Sequence, residues 1–373
     1  MNTKSSVSSL LVLAVGGLLY SVVTSHSQGP LTPPGVPAPT MKTLDQIEAR
    51  TPVQSLSAAA PYNITQPGSY YLTGNITVPM GDAIVIASDD VSLNLNGFTI
   101  RSTLTGSTSG NAISITGDRS RLTVRNGSIV SGTTVPASGS AGGAGFSNGI
   151  FSAATITQAL VSGVHVTGVT TTGIYLDSQG VVENCTVRNC GSNGIFAQSV
   201  HNCSAENCRA NGISASKNAT NCSAFGRDNN GLACTNATNC TGDSSTGTGL
   251  NCTGNATNCA GTSATGTGLN CSGNASNCTG TSTGGTATGL SCFGNATNCS
   301  GTSAGGVGLL CGGNTSNCTG SSTSGTAGIS VTGTASFCRG TRLGGVAIIA
   351  GNAIGCTVAT GSVTAPLKSL GTP

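Results

Sequence analysis

From residue 62 onward the chain is built of short apolar or alternating bursts, such as Ala83-Ile84-Val85-Ile86-Ala87, Val91-Ser92-Leu93-Asn94-Leu95 and Leu122-Thr123-Val124. Successive side chains of a strand face opposite sides, so such bursts predict short strands buried on one face. Apolar positions at helical spacing do not run through this stretch, which excludes helical repeats.

Further along, the bursts shrink and become periodic. Asn-Cys returns at Asn184-Cys185, Asn202-Cys203, Asn221-Cys222, Asn239-Cys240, Asn258-Cys259, Asn277-Cys278, Asn298-Cys299 and Asn317-Cys318, every 18 to 21 residues. A second phrase, Gly followed by Ile or Leu, precedes each from Asn202 onward, as at Gly194-Ile195, Gly249-Leu250 and Gly308-Leu309. Two marks locked in phase identify one structural unit, repeated and stacked. A unit this short matches one turn of a parallel β-helix. Leucine-rich repeats of similar length need a Leu-x-x-Leu-x-Leu frame, and these units carry one or two Leu each. The predicted fold is an all-β parallel β-helix solenoid of about 14 coils, each adding about 4.8 Å.

In the unit from Thr248 to Cys259, Leu250 and Cys252 share a strand face and are expected to point into the core. Gly254 and Asn255 are expected to make the corner, since both tolerate left-handed backbone angles. The column Asn218, Asn236, Asn255, Asn274, Asn295 and Asn314 would then bond amide to amide from coil to coil. The Asn-x-Ser/Thr phrases, such as Asn255-Ala256-Thr257, follow from the repeat itself.

The N-terminal segment reads differently. Lys4 precedes a mostly apolar run from Val7 to Val23, and Ser25-His26-Ser27 follows, so residues 1–27 read as a signal peptide. Residues 28–60 read as a Pro-rich linker and capping segment, with a short capping helix from Met41 to Arg50. The β-helix is expected over 61–365 and a tail over 366–373. No stable membrane span is expected once the leader is cleaved, and the expected location is secreted, extracellular, periplasmic or on the cell surface.

The phrase Gly68-Ser69-Tyr70-Tyr71-Leu72-Thr73-Gly74-Asn75, followed by Leu93-Asn94-Leu95-Asn96-Gly97-Phe98-Thr99-Ile100, resembles the opening of secreted bacterial right-handed parallel β-helix proteins of the pectin-lyase-like superfamily. The leader Leu44-Asp45-Gln46-Ile47-Glu48-Ala49-Arg50 is similar to theirs as well. The resemblance runs from about Met41 to Val363 and implies a right-handed solenoid and a secreted lineage more than a reaction. Polygalacturonase-like members carry an Asn-Thr-Asp phrase, an Asp pair, a Gly-His-Gly phrase and an Arg-Ile-Lys phrase. Here only the pair Asp89-Asp90 occurs, before a strand, where it reads as a turn. Pectate-lyase-like members hold calcium on Asp residues beside a basic residue, and spacing leaves that arrangement open.

Charge narrows the chemistry. Charged residues make up 7% of the chain, the formal net charge is +3, and no basic run occurs, so no nucleic-acid partner is expected. No Asp or Glu follows Asp243, so an acidic pair would have to come from the region holding Asp177, Glu183, Glu206 and Asp228. Counted from the Cys of each Asn-Cys, Arg188 and Glu206 fall at one position and Arg209 and Asp228 at another, which predicts exposed ion pairs between coils. His165 and His201 read as solvated.

The 17 Cys fall in columns, one of them Cys234, Cys252, Cys271, Cys292 and Cys311, with Val331 at the next place. A position that accepts Val is a small apolar core site, so stacked thiols are expected rather than bridges. No Cys-x-x-Cys pair marks a zinc site. Thr246-x-Thr248, Thr265-x-Thr267 and Thr286-x-Thr288 resemble the flat Thr rows of ice-binding β-helices, but Gly305 and Val307 break the row.

The sequence therefore predicts a secreted structural or surface-binding module for polysaccharide or a cell-surface component, with no catalytic, cofactor or metal residues assigned. The alternative is a polysaccharide lyase or glycoside hydrolase of the same superfamily. Long excursions at Thr103 to Gly110 and Ser131 to Asn148 both leave after equivalent strands and are expected to project side by side from one edge.

Overall fold

One repeat closes into one turn of three short strands. In the unit above these are Leu250–Cys252, Ala256–Thr257 and Ala260–Ser263. Each pairs in parallel with its equivalent one turn on, at Leu269–Cys271, Ala275–Ser276 and Thr279–Ser282. Stacked turns give three continuous faces, named here the leucine, alanine and glycine faces after those first residues and Gly261. The computed structural model describes residues 50–53, 61–136, 142–152 and 154–370, all within the unit Arg50–Pro373.

The alanine face runs through sixteen rungs, from Thr51–Val53 to Leu367–Leu370. The protein is thus an all-β parallel solenoid, two rungs longer than the fourteen expected, because those two terminal strands lie beyond the stretch from 61 to 365. The expected leader and, apart from Arg50, the expected capping helix lie outside the described residues. Among those described, the helical structure is one 3₁₀ turn, Asp177–Gln179, and no helix is long and apolar enough to cross a membrane.

Leu250 and Cys252 are both fully buried, as the strand alternation requires. The opposite wall of the core is glycine. A Cβ on Gly261 would lie 2.3 Å from the carbonyl oxygen of Gly268, and one on Gly268 would lie 2.2 Å from the amide of Thr281. Two faces therefore meet backbone to backbone, and the core has room for one Leu and two thiols per turn but no aromatic ring. The buried hydroxyl of Ser263 donates to Gly247 O at 2.6 Å and accepts from Gly266 N at 2.8 Å, so the polar group carried inside is satisfied.

Gly254 and Asn255 form the corner between the leucine and alanine strands, as expected, but the left-handed backbone lies at the next corner. Left-handed φ falls on the Asn of each periodic Asn-Cys, from Asn184 (54°) through Asn258 (53°) to Asn317 (53°), and not on Asn255 or on the strand residues Asn251 and Asn270 that also precede Cys. Asn tolerates that region because its short amide finds local partners. Here the amides also bond to one another: Asn221 Nδ2 donates to Asn202 Oδ1 at 3.0 Å, Asn258 to Asn239 at 3.1 Å and Asn277 to Asn258 at 3.0 Å. Asn255 forms a ladder of a second kind, its Oδ1 accepting the backbone N–H of Asn274 at 2.8 Å. Gly254 serves clearance, since a Cβ there would lie 2.5 Å from Asn236 Oδ1. Phe337 (φ 51°) and Gly355 (φ 59°) continue the left-handed column past its last Asn.

All 17 thiols are free and buried. Val331 pairs with Cys311 in register, which confirms the small-apolar reading of that column.

Candidate functional site

Two neighbouring edges of the solenoid carry polar chemistry. The first is the corner between the alanine and glycine faces. A shallow groove of about 710 Å³ follows it, lined by Asn184, Asn202, Asn221 and Asn239 on one side and Thr186, Ser204, Ser223 and Thr241 on the other. The hydroxyl row is in register from coil to coil, continuing from His165 through Thr186, Ser204 and Ser223 to Thr241. The local sequence explains the row: each hydroxyl directly follows the Cys of an Asn-Cys, so the buried thiol turns its successor outward. In the amide ladder each Asn from Asn202 to Asn277 spends one donor and one acceptor on its neighbours, which leaves a second N–H and a second lone pair for solvent or ligand.

Charged residues flank this groove at its N-terminal end. Glu183 and His201 face each other in register on the alanine face. On the glycine face Arg188 Nη2 lies 2.9 Å from Glu206 Oε2, with both side chains about half exposed (55% and 50%). Arg209 Nε lies 2.9 Å from Asp228 Oδ2 at the following corner. Both pairs form as the repeat register required.

The second edge, between the glycine and leucine faces, holds the two excursions. They run side by side: Ser109 N donates to Gly145 O and Gly145 N donates to Ser107 O, each at 2.9 Å. The larger excursion then lies along the edge, where Asn207 Nδ2 donates to Val135 O at 3.1 Å and to Asn189 Oδ1 at 2.7 Å. Arg227 Nη2 donates to Asn207 Oδ1 at 2.8 Å, while its Nη1 is buried without a partner. The corner hydroxyls of Thr246 and Thr265 donate to carbonyls of the preceding coil, at 3.1 and 3.2 Å, and so brace this edge.

The four acidic candidates do not meet. Asp177 sits in the 3₁₀ turn between the leucine and alanine faces, Glu183 on the alanine face, Glu206 on the glycine face and Asp228 at the corner beyond it. Earlier carboxylates serve the backbone: Asp82, Asp89 and Asp118 accept N–H groups of the next coil from Asn111, Ser120 and Thr155. Asp90, at φ 55°, pairs with Arg121, whose hydrogen bonds hold its carboxyl below the usual carboxylate range. His165 is exposed on a strand, and His201 ends one beside the Asn corner.

Phe151, Tyr175 and Phe196 stack along the outer leucine face, with centroids 5.4 and 4.9 Å apart. Tyr175 and Phe196 are face to face, with 9° between their planes, and Phe151 is tilted by 37° to Tyr175. The sequence signal for the groove was the Asn-Cys phrase itself; Gly-Asn marks a different corner, and the expected left-handed angle was placed there.

No family model matches the chain, and no curated protein matches it. Among solved structures it is similar to the mannuronan C-5 epimerase AlgE6 A-module of Azotobacter vinelandii, at 12% identity, covering 80% of this chain and 91% of that one, with a TM-score of 0.44. The assignment to the parallel β-solenoids rests on the strand pairings themselves.

Proposed function

We propose that the protein is an exported surface-binding solenoid that holds a polysaccharide along the groove of Asn amides and Ser/Thr hydroxyls. One observation carries this reading: a row of amides and a parallel row of hydroxyls offer donors and acceptors over four successive coils, at a repeat of about 4.8 Å, in an open and charge-poor trough. Such a row suits a neutral or weakly charged chain of repeating hydroxyls, with Glu183, His201 and the Arg188–Glu206 pair marking one end. The spread of acidic residues around separate faces supports binding over catalysis. The apolar run from Val7 to Val23 after Lys4 supports export, and the resemblance of residues 68–100 to pectin-lyase-like proteins is in keeping with a polysaccharide partner.

Binding to a panel of soluble polysaccharides, followed by affinity electrophoresis, tests this. The triple substitution Thr186→Val, Ser223→Ala and Thr241→Val removes three outward hydroxyls and no core atom, and should weaken binding at least tenfold with an unchanged Tm. Undiminished binding by that variant would place the site elsewhere.

A second reading has one observation behind it: Glu183 and Glu206 flank the same groove, one from the alanine face and one from the glycine face. Release of new reducing ends or unsaturated products from the same panel, lost in Glu183→Gln, would replace the binding reading with a catalytic one.

A further inference from the structure

Ten thiols, from Cys185 through Cys203, Cys222, Cys240, Cys259, Cys278, Cys299, Cys318 and Cys338 to Cys356, occupy one corner of ten successive coils. Cys234, Cys252, Cys271, Cys292 and Cys311 form a second column in direct register, and Cys190 pairs with Cys208. Val331 and Val164 take the equivalent places beyond one end of each long column, both buried, so filling space does not by itself demand sulfur.

The geometry of these columns is specific. Side chains on equivalent positions of stacked rungs point the same way, one rung or about 4.8 Å apart. A disulfide needs its sulfurs at about 2.05 Å and its Cβ atoms converging, which parallel side chains resist. Two metal–thiolate bonds of about 2.3 Å laid end to end span about 4.6 Å, close to the rung repeat. No group of three or more ligating side chains converges on one point among the described residues, so a tetrahedral ion has no seat. A soft monovalent ion that takes two thiolates in line has one between every pair of rungs.

We propose that the thiol columns form an internal binding track for soft monovalent d¹⁰ cations of the Cu(I) and Ag(I) class, each ion bridging the Cys sulfurs of successive coils. Every ion that enters displaces a thiol proton, an S–H bond giving way to an S–metal bond with no change of oxidation state. Interior thiolates bridge the ion above and the ion below, and nine ions displace nine of the ten thiol protons, which leaves the long column neutral, as a buried site requires. Cys185, Cys203 and Cys222 line the floor of the surface groove, which provides the way in. This track is independent of any polysaccharide in that groove.

The probe is Ag(I), titrated into the reduced, folded, full-length protein without oxygen. The expected result is uptake approaching nine ions in the long column and four in the second, with proton release, a near-ultraviolet thiolate-to-metal band and a raised Tm. The variant Cys252→Val, Cys271→Val, Cys292→Val breaks all four gaps of the second column and should take up about four fewer ions. Cys278→Val breaks two gaps and should lose about two, which keeps the test open if the triple variant fails to fold. Uptake of only one or two ions, uptake unaltered in both variants, or uptake confined to denatured protein would each overturn the proposal, as would mass spectra showing the thiols already bridged.

Discussion

The first coils and the later ones solve the same stacking problem by different means. Between Ile84 and Ile129 the core is aliphatic, with Ile86, Leu93, Leu95, Ile100, Ile113, Ile115, Leu122 and Val124 all buried. From Leu232 to Cys311 each coil offers one large aliphatic residue, and the rest of the core is Cys, Ala, Ser and Gly, with Thr315 in one coil. The early region gains from apolar area removed from water. The later one gains from backbones that approach closely and from amide ladders that repeat without error. Its tolerance differs accordingly: the early coils accommodate a spacing of 37 residues from Ile113 to its partner Ile150, whereas the later ones hold to 18 to 21.

The largest expected effect is at a glycine packed between the backbones of the later coils. Gly268→Ala must push a methyl into the backbone of Thr281 and should cost about 3 kcal/mol or more, whereas Gly74→Ala, with nothing within 4 Å, should be nearly silent. Urea unfolding of both variants checks the contrast. In the aliphatic half, Leu93→Ala should cost about 2–5 kcal/mol. A comparable loss from Gly74→Ala would erase the distinction.

The amide ladder comes next. Asn258→Ala loses bonds to Asn239 and Asn277 and places at φ 53° a residue without the amide that eases the left-handed region, together about 2 kcal/mol. Asn258→Gly keeps the backbone free and should recover roughly half of that. Equal losses from both would assign the whole effect to the ladder.

Cys271→Val in the metal-free protein should lie within about 1 kcal/mol of the parent, since Val331 already fills the corresponding place. The thiol of Cys292 is pushed up to about 12, first by its hydrogen bond with Cys271. Its folded value exceeds the unfolded one, so its contribution is undiminished below about pH 8.5 and is lost as pH rises from there through the folded value. Iodoacetamide at pH 8 should therefore leave Cys292 unmodified in the folded chain and modify it in denaturant, as read by mass spectrometry. The smallest effect belongs to the early region: Asp90→Asn should change Tm near the limit of detection above pH 5, and the difference should vanish on acidification, because the carboxylate is exposed and its value is lowered.

The repeat phase was enough to assign the solenoid, the inward Leu250 and Cys252, and the ion pairs Arg188–Glu206 and Arg209–Asp228, because all of these follow from register alone. It was also enough to place both excursions on one edge. The corner was less legible. Gly254-Asn255 and Asn258 are chemically alike as turn formers, and what separates them is clearance between coils, a tertiary quantity. The groove was hidden for the same reason, since its hydroxyl row becomes a row only when Thr186, Ser204, Ser223 and Thr241 are brought into register.

The Asn ladders also have a direction. In both, every donor belongs to the later coil and every acceptor to the earlier one, as in Asn221 to Asn202 and in Asn274 N to Asn255 Oδ1. The amide dipoles therefore add along the stack, positive toward its N-terminal end and negative toward its C-terminal end, much as peptide dipoles add along a helix. Beyond Asp243 every charged residue is basic, Arg339, Arg342 and Lys368. A solenoid that looks uniform from coil to coil is thus polarised along its axis, with its own cations gathered where that field is negative.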